Sequence, residues 1–229
     1  MKNRKYELTN ESKTLENGVI VYRIKALKDF GDVKAGTLGG FVESEKNLDH
    51  TDTCWVYNEA VVYDNARVRD NAKVYDNAVI CENALVRFNA TVKDNAKISG
   101  NASIYDYAII HNNAEISENA SIVDCAEIFD NTVIRCRALI NGCAKIYGKT
   151  NIFCNAIIGR SAVIKSEKDY VFISRDYITA YKSNDEIYID ETDIDTFRND
   201  VENKYTGLDG LEERKRLLIM VDFIETCLS

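Results

Sequence analysis

The sequence predicts a protein dominated by β-structure: a three-sided parallel β-helix of about six coils, preceded by a short β segment and closed by an α-helical cap. Two observations predict the coil. Val or Ile stands at every sixth position from Val56 to Ile164, nineteen times without exception. Four residues after each, between 60 and 162, sixteen of eighteen positions are Ala, and the other two are Thr132 and Thr150. Self-similarity at a fixed period is the mark of a repeat architecture. A period of six matches neither a helix nor one continuous strand. Branched residues favour strands, while the Asp-Asn and Gly-Asn pairs between them favour corners, because Asn tolerates left-handed backbone angles. Short strands joined by such corners make a coil of three flat sides, about eighteen residues per turn. The branched residue points inward from each side, and Ala sits inward near each corner, where little volume is available. Coils stacked at strand spacing would rise to roughly 29 Å, with Asn side chains forming ladders at the corners.

The elements follow in order. Residues 1–50 form an N-terminal β segment: K-Y-E-L-T at 5–9 and G-V-I-V-Y-R-I-K-A-L at 18–27 read as strands. The Gly-rich stretch D-F-G-D-V-K-A-G-T-L-G-G-F-V-E-S at 29–44 connects them to the coil, its glycines read as turn residues. It lacks G-x-x-x-x-G-K-[ST], so it is no phosphate-binding P-loop. Residues 51–168 hold the ladder. Residues 169–190 carry two closing strands, Y-V-F-I-S and E-I-Y-I-D. Residues 191–229 form two helices. The first has Thr192 as N-cap, Ile194, Phe197 and Val201 on one face, and Gly207 as its stop. The second runs from 211 to 228. An open coil end exposes unpaired backbone and apolar core, so both flanking segments read as caps, with self-association through the second helix as the sharper reading.

The units V-Y-D-N-A-R at 62–67 and I-G-R-S-A-V at 158–163 resemble the hexapeptide-repeat family, whose pattern is [LIV]-[GAED]-x-x-[STAV]-x. The resemblance covers 56 to 166 and implies a left-handed parallel β-helix, whereas general crossover rules suggest the opposite hand. The family's small or acidic second position is here mostly Tyr, Arg, Lys or another large residue, which alters the outer surface and spares the coil. The N-terminal strands, the Gly-rich stretch and C-W-V-Y at 54–57 are similar to the start of YdcK-like β-helix proteins of bacteria and prophages, commonly labelled acyltransferases. What the resemblance implies about activity is acyl-CoA-dependent acyl transfer: hexapeptide acyltransferases mostly act as trimers, with acyl-CoA along the groove between coils and a His as general base. The prophage resemblance also implies a host-directed role, sequestering a host protein or a nucleotide signal. Of the two histidines, His50 precedes the first full repeat, and His111 follows Ile110 and faces outward from mid-coil. His111 is therefore the catalytic candidate. No long loop interrupts the ladder from 56 to 164, although such loops shape acceptor sites in the family.

Composition bounds the alternatives. A formal charge of −8 argues against long nucleic acid as a partner. No run of about 18 apolar residues exists, so no membrane span is expected. The first ten residues lack a signal-peptide core, and the seven cysteines form no C-x-x-C pair, which together suggest reduced thiols in the cytoplasm. Cys125 and Cys143, and likewise Cys136 and Cys154, stand one coil apart at two different corners, so a four-thiolate zinc site is not expected. Asp76, Asp94 and Asp130 share a corner column with Asn112; stacked carboxylates can hold a cation, but a solvated edge is the plainer reading, and no metal or resident cofactor is expected. One flat side stands out. Its columns read Tyr57, Tyr75, Lys93, His111, Phe129, Tyr147, Lys165 and Trp55, Lys73, Thr91, Ile109, Glu127, Lys145, Val163. Arginines Arg67, Arg69 and Arg87 gather near one end of another side. Aromatics on a rigid sheet tend to mark contacts. The candidate binding residues are Trp55, Tyr57, Lys73, Tyr75, Lys93, His111, Phe129, Lys145 and Tyr147. They form the interface of a homotrimer or homodimer, or a face for another protein, a nucleotide or a short nucleic acid, or no more than cross-strand aromatic pairs on a free surface. The leading expectation is a non-catalytic binding or scaffold protein; the alternative is an acyltransferase using acyl-CoA and His111.

Overall fold

The computed structural model describes residues 4–153, 155–159, 162–165, 170–173, 178–183, 186–189, 192–204 and 211–228. Three strands open the chain: β1 (Tyr6–Thr14), β2 (Ile20–Ala26) and β3 (Leu38–Val42). Nineteen two-residue strands follow, β4 (Trp55–Val56) to β22 (Val163–Ile164), each ending on a branched residue of the six-step ladder. They stack into three parallel sheets, every strand pairing in register with the strand one coil away, such as Thr91 with Ile109 and Val92 with Ile110. The inward column from Val56 to Ile164 and the corner alanines are buried from end to end, and Thr132 and Thr150 are accommodated because their hydroxyls donate to Phe129 O and Tyr147 O.

The corners differ from expectation in one respect. The left-handed residue is the first of each Asp-Asn or Gly-Asn pair, not the Asn. Positive φ recurs at every sixth residue from Asp52 to Gly148, on fourteen non-glycine residues and on Gly100, Gly142 and Gly148. A left-handed angle costs an L-residue ~1–2 kcal/mol. The carboxylates offset part of that by accepting the backbone N–H of the residue one coil on: Asp64 from Glu82, Asp94 from Asn112, Asp124 from Gly142. The Asn that follows turns outward and forms the ladder, as in Asn77–Asn95–Asn113–Asn131 with amide contacts of 3.3 Å. A hydrogen bond contributes a net ~1 kcal/mol, somewhat more to a charged acceptor, so a corner clipped in this way sits near balance and the buried core supplies the driving force.

There are seven coils rather than six. β3 lies antiparallel to β2 but parallel to the strand Val61–Val62, and Leu48 bridges Val68. Val42, Leu48 and Val56 therefore make a first coil, hidden in the sequence because the step from Leu48 to Val56 is eight residues. Lys5 secures the extra length. Its fully buried amine donates to Thr51 O (3.1 Å), Cys54 O (2.8 Å) and the Cys54 thiol (3.2 Å). Gly39 and Gly40 are not turn residues. They lie inside β3, where a Cβ on Gly39 would stand 2.6 Å from both the Trp55 ring and Val56 O.

At the far end, β23 (Tyr170–Ile173), β24 (Ile178–Ser183), β25 (Glu186–Ile189) and β26 (Thr192–Asp193) form an antiparallel sheet, with β24 against β21 (Ile157–Ile158) and β22. Helix α1 (Ile194–Lys204) follows directly, and its cap is Asp193, which accepts the Thr196 N–H at 2.9 Å, while Thr192 belongs to β26. Gly207 lies outside the described residues. Val201 of α1 is buried, as are Leu217, Val221 and Ile224 of α2 (Leu211–Leu228), and Arg198 ties the helices by pairing with Asp222 and Glu225. No helix among the described residues is long and apolar enough to cross a membrane.

Candidate functional site

The sheet built on strands ending at 56, 74, 92, 110, 128, 146 and 164 carries the two columns read from the sequence. In-register pairing sets successive side chains one rung apart, close to the thickness of a stacked ring. The outer column accordingly forms two aromatic stacks. Tyr57 and Tyr75 lie 4.3 Å apart, nearly parallel. Beyond Lys93, His111, Phe129 and Tyr147 stack at 4.9 and 4.7 Å. The rings spend much of their face area on one another and present their edges to the outside.

Trp55 is not on this open face. It is fully buried, edge-on to Tyr6 and Phe30, because the N-terminal segment folds over the start of the sheet. Tyr57 and Lys73 are on the face but engaged. Asp32, from the segment between β2 and β3, accepts the Tyr57 hydroxyl at 2.9 Å and the Lys73 amine at 2.8 Å. Burial, and then the Asp32 carboxylate, push the Tyr57 hydroxyl well above the ordinary tyrosine range. The Lys73 hydrogen bond, seconded by Tyr57, holds Asp32 below the ordinary carboxylate range. The open part of the face is thus Tyr75, Lys93, Ile109, His111, Phe129, Lys145 and Tyr147.

His111 sits mid-face with 16% of its side chain exposed. Its Nδ1 is 3.0 Å from Asn112 Oδ1, and its Nε2 is 3.3 Å from Glu127 Oε1. Asn112 is oriented by its own Nδ2, which donates to Asp130 Oδ1 at 2.9 Å. Both ring nitrogens therefore face acceptors. Glu127 also accepts from Lys145 at 2.8 Å, and that bond, more than the one to His111, keeps its carboxyl below the usual range. A neutral imidazole donates from only one nitrogen, so whichever tautomer is present, the other nitrogen meets a side-chain oxygen rather than an open approach for an acceptor substrate.

The other candidates are accounted for locally. Asp94 and Asp130 spend a carboxylate oxygen on the N–H of Asn112 and Gly148, and Asp76 contacts the Asp94 N–H at 3.4 Å. No group of three metal-ligating side chains converges among the described residues. Cys125 and Cys143 are free and exposed at one corner; Cys136 is half-buried, and Cys154 lies outside the described residues. Two residues that shape the face carried no role in the sequence reading. Glu127 stood in the column but draws its importance from neighbours one coil away on either side. Asp32 belongs to no repeat, so no sequence signal placed it there.

No family model matches the chain. It is similar to the uncharacterized acetyltransferase YdcK of Escherichia coli (strain K12), 35% identical over 79 aligned residues. That match takes in 28% of this chain and 24% of the relative, so the chain spans about a quarter of the length of the protein it resembles. The likeness and the seven-coil β-solenoid together fit a hexapeptide-repeat, acetyltransferase-like protein.

Proposed function

We propose that the chain is a non-catalytic β-helix scaffold that works by holding a partner on the flat face of Tyr75, Lys93, Ile109, His111, Phe129 and Tyr147. The observation that carries this reading is the state of His111: both ring nitrogens are turned to acceptors and the ring is stacked on Phe129. An uninterrupted ladder supports it further, since among the described residues no loop is inserted between the strands from β4 to β22. A flat, rigid face with half-buried aromatics and an exposed Ile109 suits a second copy of the chain first, in a homodimer or homotrimer, and another protein or a nucleotide second.

The second reading is acyl transfer from acyl-CoA with His111 as base. The acetyltransferase name of the E. coli relative favours it, and Glu127 beside His111 is the kind of carboxylate that orients a catalytic imidazole.

Native mass spectrometry of gently purified protein separates the two. The scaffold reading expects an oligomer without bound CoA, which Tyr75→Ala with Tyr147→Ala dissociates. A trimer carrying CoA or acyl-CoA, with acyl transfer abolished by His111→Ala, would establish the enzyme. Oligomer state and partner capture both unchanged in the double variant would remove the face from the account. Capture of a host protein or nucleotide by the intact face would point to a sequestering role.

A further inference from the structure

We propose that a second site, a cleft at the first coil bounded by Lys46, His50, Arg67 and Arg69, binds a small phosphorylated, hydroxyl-bearing anion. The cleft has a volume of about 260 Å³ and lies between the 45–50 segment and β6 (Arg67–Val68). Arg67 and Arg69 flank the inward Val68, so both leave the same outer side of one strand, roughly 7 Å apart at their roots. Neither forms an ion pair, and Lys46 is exposed and equally without one; Arg69 feels Asp49 only through space. Arg87, next in the same column, is by contrast paired with Asp70 at 3.1 Å. A chain of formal charge −8 thus leaves three cations unpaired around one cleft.

The acids nearby do not quench them. Glu45 pairs with Arg4 at 3.0 Å, and Asp49 accepts the Thr51 N–H at 3.1 Å. His50 adds a donor. Its Nδ1 accepts the Lys5 N–H, which places the neutral ring's proton on Nε2. That Nε2 is buried with no hydrogen-bond partner; the nearest carboxylate oxygen, on Glu45, is 3.8 Å away. Stacking on Tyr6 fixes the ring at the cleft wall. The wall therefore holds more donors than acceptors, and an unmet buried donor is costly enough to need a reason. Two guanidinium forks on one rigid strand suit the oxygens of a phosphate. Asp49 and Glu45 at the rim retain lone pairs that suit the hydroxyls of a sugar. The volume lies just below the usual range for drug-sized ligands and fits one or two phosphates with a small carrier.

The test is isothermal titration calorimetry of the full chain at fixed ionic strength with inorganic phosphate, pyrophosphate, ribose 5-phosphate and AMP. Saturable one-site binding is expected, tighter for ribose 5-phosphate or AMP than for phosphate alone. Arg67→Gln with Arg69→Gln is expected to weaken it at least about tenfold, since each lost charge-assisted bond is worth that much or more. Arg87→Gln should leave binding unchanged. If the double variant does not fold, Lys46→Gln still reads the site and should weaken binding several-fold. Absence of saturable binding to all four probes, equal binding by the variants, or binding only to long polyanions with a steep salt dependence would each overturn the proposal.

Discussion

The Asp at each corner has two separable jobs, and a single position can show both. Asp124 has a φ of 58°, and its carboxylate accepts the Gly142 N–H from the next coil at 2.9 Å. Asp124→Ala loses the acceptor and leaves a side chain in a left-handed conformation that Ala resists. Asp124→Gly loses only the acceptor. Thermal or urea unfolding should therefore rank Ala as the worse substitution, costing about 1–2 kcal/mol, with Gly nearer 0.5. Equal losses would mean that the angle carries no penalty here. The same residue pair shows where sequence reading stops. An Asp-Asn dipeptide marks a corner, but either residue tolerates the left-handed angle. Which one adopts it is decided by the reach of a carboxylate to the coil above. Trp55 makes the point for burial. Its place in the outward column was legible from the period, yet Tyr6, Phe30 and the side-chain-free surface of Gly39 close over it.

At the scale of elements, the segment between β2 and β3 packs Phe30 on Trp55 and is fastened to the open face by Asp32, through Tyr57 and Lys73. The linkage has a definite sign. Asp32 is held below its ordinary value in the folded chain, mainly by the Lys73 hydrogen bond. Its contribution is therefore present above about pH 4, the unfolded carboxylate range, and is lost as pH falls through the lower folded value. Asp32→Asn should melt slightly below the parent at pH 7, and the gap should close toward pH 3. A gap that stays constant with pH would show that the carboxylate's charge is not what fastens the segment. The caps follow a similar division. The second helix, 211 to 228, was legible from its richness in Leu, Ile, Met and Phe. The cap of the first was read one residue early, since Thr192 and Asp193 are both good caps and the pairing of Thr192 with Ile189 takes the former into a strand.

At the scale of the molecule, the coils are coupled to their neighbours at a register of eighteen residues through strand pairing, reinforced at many corners by carboxylate clips and Asn ladders. Two residues inserted after Asn112 shift every later contact of that coil and should cost more than about 2 kcal/mol, the range of broken buried networks. The same insertion after Asp52 falls where the step is already eight residues and should cost under about 1 kcal/mol; similar losses at both sites, read by urea unfolding, would refute register coupling as the source of rigidity. The sequence by itself determined the coil, its three sides, its inward column and the column that faces out, because a strict period converts position along the chain into position in space. Only the tertiary structure decided the seventh coil, the burial of Trp55, the clasp of Lys5, the Asp32 fastening and the acceptors around His111. Each depends on atoms brought together from outside the period, and contacts of that kind leave no spacing in the sequence to read.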